Sequence, residues 1–288
     1  MSSPAPIPDS KATFRPDLFK GKVLFCTGGR SGICYGIVET MMSHGVDAII
    51  VGRDAKGLQE SADRLSSKTG QKCIAASADV RDPEQIKKAV DLAQKTFGRI
   101  DFVICGAAGN FLAPISSLSE RAFRTVVEID LLGTYHTIKA TLPLVRESKG
   151  SYIHISATLH YRGLPYQAHV SAAKAGVDAL SGVLAVEEGP RGVRSNVIAP
   201  GPIGGTVGMD RLTPKGWKPE GDVPLGRMGE TSDIANAAVF LFSPAAAWIT
   251  GTVTVVDGGE HHIRQMSLPY PQSLLDPESV KSLIRPKL

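Results

Sequence analysis

The chain is poor in cysteine and aromatic residues and has no long apolar run, and each scarcity narrows the field. Its four cysteines, Cys26, Cys34, Cys73 and Cys105, lie far apart with no C-x-x-C pair, so neither zinc-ligand spacing nor a disulfide framework is indicated. No apolar stretch approaches the roughly 18–20 residues of a membrane helix. Charge is not of one sign. Thirty-two Lys and Arg against 28 Asp and Glu leave a net +4, and the basic residues are scattered rather than gathered into the blocks that mark nucleic-acid binding. Aromatics make up 6% of the chain, yet 30 of its 288 residues are glycine. The glycines raise the question of where the backbone must turn tightly or approach a ligand. With 42% hydrophobic residues, a chain of this length has enough apolar material for a large core, and disorder over most of it is excluded.

Residues 1–18 hold four prolines and no apolar periodicity. They are expected to form a flexible leader, without the apolar stretch of a signal peptide or the arginine-rich amphipathic pattern of a transit helix. From Lys22 onward, short apolar runs at 22–27, 46–52, 72–78, 100–107, 151–157, 193–201 and 252–259 alternate with helical stretches at 32–44, 54–68, 82–97, 122–145, 167–188 and 231–242. Near-continuous apolar runs between amphipathic stretches predict one α/β domain over 19–260, with a seven-stranded parallel sheet covered on both faces. The irregular segment 206–223, rich in Gly, Pro and Lys, is a candidate substrate lid. Past Gly259 the pattern is lost, and a tail over 261–288 closes with Pro286-Lys287-Leu288.

The first apolar run leads into Thr27-Gly28-Gly29-Arg30-Ser31-Gly32-Ile33-Cys34 and then a helix. In that position a glycine loop offers backbone N–H groups and a helix N-terminus to a pyrophosphate, although an ordinary strand-to-helix turn has the same composition. The second run ends in Val51-Gly52-Arg53-Asp54. A carboxylate there favours a free ribose 2′-hydroxyl and an arginine favours a 2′-phosphate, so Arg53 with Arg30 nearby argues for NADP(H). Asp54 serves either this site or a helix N-cap.

TGGRSGI after strand one, ADVRD after strand three, GAAGNF after strand four, ISA after strand five, a lysine on the next helix and APGPIGGT after strand six resemble the short-chain dehydrogenase/reductase family. The resemblance spans about residues 20–260 and implies a single doubly wound Rossmann domain, usually oligomeric (a homotetramer or homodimer), that binds a nicotinamide dinucleotide and no metal. It places Gly28, Arg30, Ser31, Gly32 and Ile33 at the pyrophosphate, and Asp79 and Val80 at the adenine. Gly106, Ala107 and Ala108 pass the adenosine ribose, Lys174 meets the nicotinamide ribose, and Pro200, Gly201, Pro202, Ile203 and Thr206 wrap the nicotinamide. Cys34 stands where the family's loop has its third glycine, which is expected to loosen the helix–strand contact there.

Carbonyl-reducing members carry a tyrosine four residues before the lysine, because a phenol must exchange a proton with the carbinol oxygen. Four residues before Lys174 stands Val170. Ser156 occupies the family's serine position and Asp130 replaces its asparagine. The same losses characterise a subgroup, the 2,4-dienoyl-CoA reductases, and GAAGNF, Asp130 in EIDLLGT, His169 and KAGVDAL resemble its peroxisomal form. The resemblance gives Asp178 the task of fixing a water that protonates substrate. Lys174 and Asp178, four apart, are expected on one helix face, with Asp130 extending their polar network. It implies NADP as cofactor and an acyl-CoA substrate, with Arg53, Arg81 and Arg211 at the CoA phosphates and Phe111, Ser119, Glu120 and Arg121 along the acyl-CoA path. His160, Tyr161 and Tyr166 are alternative acids, and alternative functions are a carbonyl or 3-oxoacyl reductase taking its proton from Tyr161 or Tyr166 and a catalytically silent NADP-binding subunit. Pro286-Lys287-Leu288 is close to the Ser-Lys-Leu address read by the peroxisomal import receptor, so a peroxisomal location is expected, with the cytoplasm as the alternative.

Overall fold

The computed structural model describes residues 9–212, 219, 222–263 and 275–280. Its strands are β1 (Val23–Thr27), β2 (Asp47–Gly52), β3 (Cys73–Ser77), β4 (Phe102–Cys105), β5 (Ser151–Ile155), β6 (Arg194–Pro200) and β7 (Val253–Val256). All pair in parallel in the order β3-β2-β1-β4-β5-β6-β7, the doubly wound arrangement expected. The order reverses between β1 and β4, and ligands bind at the carboxyl ends of the strands on either side of such a switch point. β1, β4 and β5 are buried along their whole length, which is why their sequences read as unbroken apolar runs.

The helices start and stop where local chemistry dictates. After α1 (Ser10–Thr13) and α2 (Gly32–Ser43) come α3 (Ala55–Thr69), capped by Asp54 through the Gly57 amide, and α4 (Pro83–Phe97), capped by Asp82 with proline in its first turn. α3 and α4 end on Gly70 and Gly98, both left-handed, the conformation that costs glycine least. α1, expected to be part of a flexible leader, is docked instead: Ser10 Oγ lies 2.8 Å from His44 Nε2, and Phe14 meets the His44 ring edge-on.

A second departure concerns the helix expected at 122–145. It begins and ends further out and is interrupted: α5 (Glu120–Val127) passes through a π turn (Glu128–Leu132) into α6 (Gly133–Ser148). A π turn inserts one residue into the helical repeat, so a periodicity argument cannot see it. Asp130 sits in that turn, fully buried. α7 (Ala168–Glu188), α8 (Val207–Leu212) and α9 (Thr231–Phe242) complete the core architecture. The segment 206–223 lies partly outside the described residues, as does most of the 261–288 tail including Pro286, Lys287 and Leu288. The side chain of Arg211 is also outside them.

Candidate active site

At the switch point the backbone makes the first half of the site. Gly28 has φ +76°, and a Cβ there would lie 2.7 Å from the Gly106 carbonyl oxygen, so the loops after β1 and β4 touch backbone to backbone. Thr27 Oγ1 accepts from the Gly106 amide at 3.1 Å, tying the two loops. Cys34 does not loosen this turn. Its sulfur fills the space a side chain on Gly106 would take, 2.1 Å from that residue's ideal Cβ position, and Cys34 is buried. The bulk added at one position is accommodated by the glycine opposite.

Ser31 starts α2 without a side-chain cap bond, and the helix has no acid in its first turn. Its first amides are therefore not covered by side-chain oxygens, and the positive end of the helix dipole faces the loop. Thr206, from the far side of the switch, approaches this helix start, 3.7 Å from where a Cβ on Gly32 would lie. Thr206 Oγ1 donates to the Ile203 carbonyl at 2.9 Å.

At the outer end, Arg53 is exposed after β2, and Arg30 lies 3.4 Å from Asp54 Oδ2. Asp54 thus has two employments, as cap and as partner of Arg30. Arg81 does not stand free for a phosphate: its guanidinium grips Asp79, with an Nη2–Oδ2 distance of 2.5 Å, and this pairing holds the Asp79 carboxyl below its usual range.

Side chains make the second half. Lys174, buried on α7, donates to the Ile155 carbonyl at 2.9 Å and lies 3.1 Å from Asp130 Oδ2. Asp130 Oδ1 accepts from the Gly109 amide at 2.7 Å, so the π turn fastens the loop after β4 to the lysine. Asp178 does not join this pair, contrary to the expected Lys174–Asp178 contact. One turn further along α7, its Oδ2 takes His160 Nε2 at 2.7 Å and the Tyr161 hydroxyl at 3.1 Å. Burial, reinforced by the adjacent Asp178 charge, pushes the Tyr161 phenol well up. Buried Lys174 with fully buried Asp130 makes the tighter pair, because an unpaired buried charge is the costlier alternative.

Gln167, Ser171, Lys174 and Asp178 recur at spacings of four, three and four, one stripe along α7. Among the described residues, Gln167 Oε1, Ser171 Oγ, Asp178 Oδ1 and Ser156 Oγ are buried without a hydrogen-bond partner. Gln167 and Ser171 were not singled out from sequence, although the stripe's spacing was there to be counted. The sequence offers Tyr161 and His160 only as alternative acids; a loop carries no periodicity that aims them at Asp178.

Val170, in the tyrosine's position, is buried in an apolar cluster with Val126 and Ala173, against which Phe111, Val127, Leu131 and Leu159 pack. The slot is therefore a hydrophobic wall. His169 packs edge-on against Phe111 at 4.3 Å between centroids, and burial lowers its pKa. Beside this wall opens a groove of about 530 Å³ lined by Ile115, Leu118, Glu120, Phe123, Arg124, Val127 and Ala168. Ser119 caps α5 through the Ala122 amide, and Arg121 is exposed on its first turn.

Residues 28–261 match the family described as enoyl-(acyl carrier protein) reductase. The chain is 50% identical over 259 residues to the (3E)-enoyl-CoA-producing peroxisomal 2,4-dienoyl-CoA reductase of Saccharomyces cerevisiae, covering 88% of this chain and 89% of that one. It is 47% identical over 250 residues to the enzyme of the same description from Danio rerio, covering 85% and 83%. Among solved structures, a short chain dehydrogenase from Bacillus anthracis superposes with a TM-score of 0.77 at 37% identity, covering 86% of this chain and 99% of that one.

Proposed function

The chain belongs to the short-chain dehydrogenase/reductase family, and from that premise we propose that it is an NADPH-dependent 2,4-dienoyl-CoA reductase, yielding 3-enoyl-CoA. The observation that carries the reading is the rebuilt reaction half: an apolar Val170 where a phenol would stand, beside a buried Lys174–Asp130 pair and an Asp178 with one oxygen unpartnered. Val170's place offers no phenol to a carbinol oxygen, while the site retains groups for protonating carbon.

The residues fit a dinucleotide. The backbone contact at Gly28 and Gly106 leaves a cradle that a Cβ would fill, and the uncapped start of α2 suits a pyrophosphate. Gly28, Arg30, Ser31, Gly32 and Ile33 would hold the pyrophosphate, and Asp79, Val80, Gly106, Ala107 and Ala108 the adenosine. Pro200 to Thr206 and Lys174 would hold the nicotinamide end. Asp54 is engaged by Gly57 and Arg30, which leaves Arg53 to meet a 2′-phosphate and favours NADPH over NADH. The bound cofactor supplies a hydride to C5 of the conjugated thioester.

Charge then moves through the diene to the thioester oxygen, and the chain's own groups do the rest. Lys174 presents its ammonium to the site, its charge balanced by Asp130 and its place held by Asp130 and the Ile155 carbonyl. Asp178 holds a water through its unpartnered oxygen; that water gives its proton to C2, and the hydroxide left is reprotonated from solvent. Ser156 Oγ, buried and unpartnered, is available as a donor to the developing oxyanion. Phe111, Ser119, Glu120 and Arg121 border the acyl-CoA path, with Arg53, Arg81 and Arg211 contributing charge toward the CoA phosphates; Arg81 would have to share its guanidinium with Asp79.

The relatives' names support action in the peroxisome, reached through Pro286-Lys287-Leu288. Leu132, Tyr135, Val183 and Val186 are exposed on the π turn, α6 and α7, apolar surface that a homodimer or homotetramer would bury. The test is NADPH consumption with 2,4-hexadienoyl-CoA. Turnover with NADPH well above that with NADH is expected, and no turnover of any dienoyl-CoA overturns the reading.

A further inference from the structure

Asp178 is approached by two donors on the same oxygen. His160 Nε2 lies 2.7 Å from Oδ2, and the Tyr161 hydroxyl donates to that atom at 3.1 Å, while Oδ1 is buried without a partner among the described residues. His160 and Tyr161 come from the short 3₁₀ turn Leu159–Tyr161 after β5, with their rings 4.2 Å apart at a steep angle. That turn is fixed in its own right. Arg162 next to it pairs with Glu260 and donates to the Ile263 carbonyl at 2.9 Å, and the Tyr161 ring lies 6.4 Å from that of His261. His261 in turn is held by Asp257 at 2.6 Å. A segment beyond β7 thus braces the turn that grips Asp178.

We propose that His160 and Tyr161 are positioning residues for the reduction, acting together as a two-donor clamp on Asp178. By saturating Oδ2 they fix the carboxylate's rotation about its terminal bond and leave Oδ1 as its only acceptor for the water that protonates C2. The terminal torsion of an aspartate is broad, so without the clamp either oxygen can turn into the site and the water loses its fixed place. Neither residue touches substrate in this scheme; the clamp works through Asp178 and rests on the proposed reductase reaction.

The test compares His160→Ala, His160→Gln, Tyr161→Phe and the double variant His160→Ala/Tyr161→Phe in the full-length protein. Steady-state rates with 2,4-hexadienoyl-CoA are measured together with NADPH affinity by fluorescence titration. Misplacing a reacting group by about 1 Å costs on the order of 10²-fold in rate. His160→Ala should therefore lose tens-fold in kcat, with KM and NADPH affinity little changed. The double variant should lose more than either single one, and His160→Gln, which keeps an N–H donor, should recover much of the loss. A larger solvent deuterium isotope effect on kcat in His160→Ala is also expected, because proton delivery becomes the slow step. Unchanged kcat and isotope effect in the double variant, with NADPH affinity intact, overturns the clamp. A glutamine variant no better than alanine, or losses confined to KM, also overturns it. An inactive wild-type protein would instead refute the reductase reading itself.

Discussion

The two halves of the site are built from different materials. Between β1 and β4 the protein offers backbone: a carbonyl against an α-carbon at Gly28 and Gly106, and the bare start of α2. Beyond β5 it offers side chains: the buried Lys174–Asp130 pair, Asp178 in its clamp and a stripe of unpartnered oxygens along α7. A backbone cradle tolerates little sequence change, since its fit depends on missing side chains. A side-chain site keeps its scaffold while its chemistry is exchanged, and Val170 in the tyrosine's place is such an exchange.

That contrast can be broken most severely at Lys174, which serves both halves. Lys174→Met leaves Asp130 buried without its cation, and breaking a buried pair costs roughly 3–5 kcal/mol. Both a lower unfolding midpoint and loss of dienoyl-CoA reduction are expected. The double change Lys174→Met/Asp130→Asn should regain most of the stability and none of the activity. Recovery of activity in that variant would show that the charge pair is structural alone.

The backbone half can be tested without touching the chemistry. Gly106→Ala drives a methyl group into Cys34 Sγ, and overpacking of this kind costs roughly 1–3 kcal/mol. Weaker NADPH binding and lower stability are expected, and Cys34→Ala in the same chain should restore much of both. If Cys34→Ala gives no rescue, the accommodation between these positions is not what holds the turn.

The smallest effect concerns pH and belongs to the side-chain half. His154 on β5 is fully buried, with Nε2 3.1 Å from Ser195 Oγ. Burial, aided by the Lys174 charge, lowers its pKa from 6.5 to about 3. The unfolded chain binds a proton below 6.5 that the native state refuses, so stability from this group is intact above 6.5 and is lost as pH falls toward 3. The slope is at most about 1.4 kcal/mol per pH unit. Denaturant midpoints for wild type should fall between pH 7 and pH 5 more steeply than those for His154→Gln; parallel curves would contradict the assignment.

The same division explains what was legible in the sequence. Glycine spacing after a strand reports backbone geometry directly, so the Gly28–Gly32 loop followed from pattern, and the alternation of apolar runs with helices gave the seven parallel strands, though not their order. The absence of a tyrosine before Lys174 was equally plain. Hidden were the π turn that carries Asp130, because a one-residue insertion has no composition by which to recognise it, and the grip of His160 and Tyr161 on Asp178. Both depend on where loops run in space. Helical spacing placed Lys174 and Asp178 on one face but could not say that each would find a different partner.

The central claim is that hydride enters at C5 and a water held by Asp178 protonates C2. Turnover of 2,4-hexadienoyl-CoA with NADPH in deuterated water, with the product read by NMR, tests it most directly. A 3-enoyl-CoA carrying one solvent deuterium at C2 is expected, formed by wild type and nearly abolished in Asp178→Ala. A 2-enoyl product with deuterium at C4, or undiminished turnover in Asp178→Ala, would contradict it.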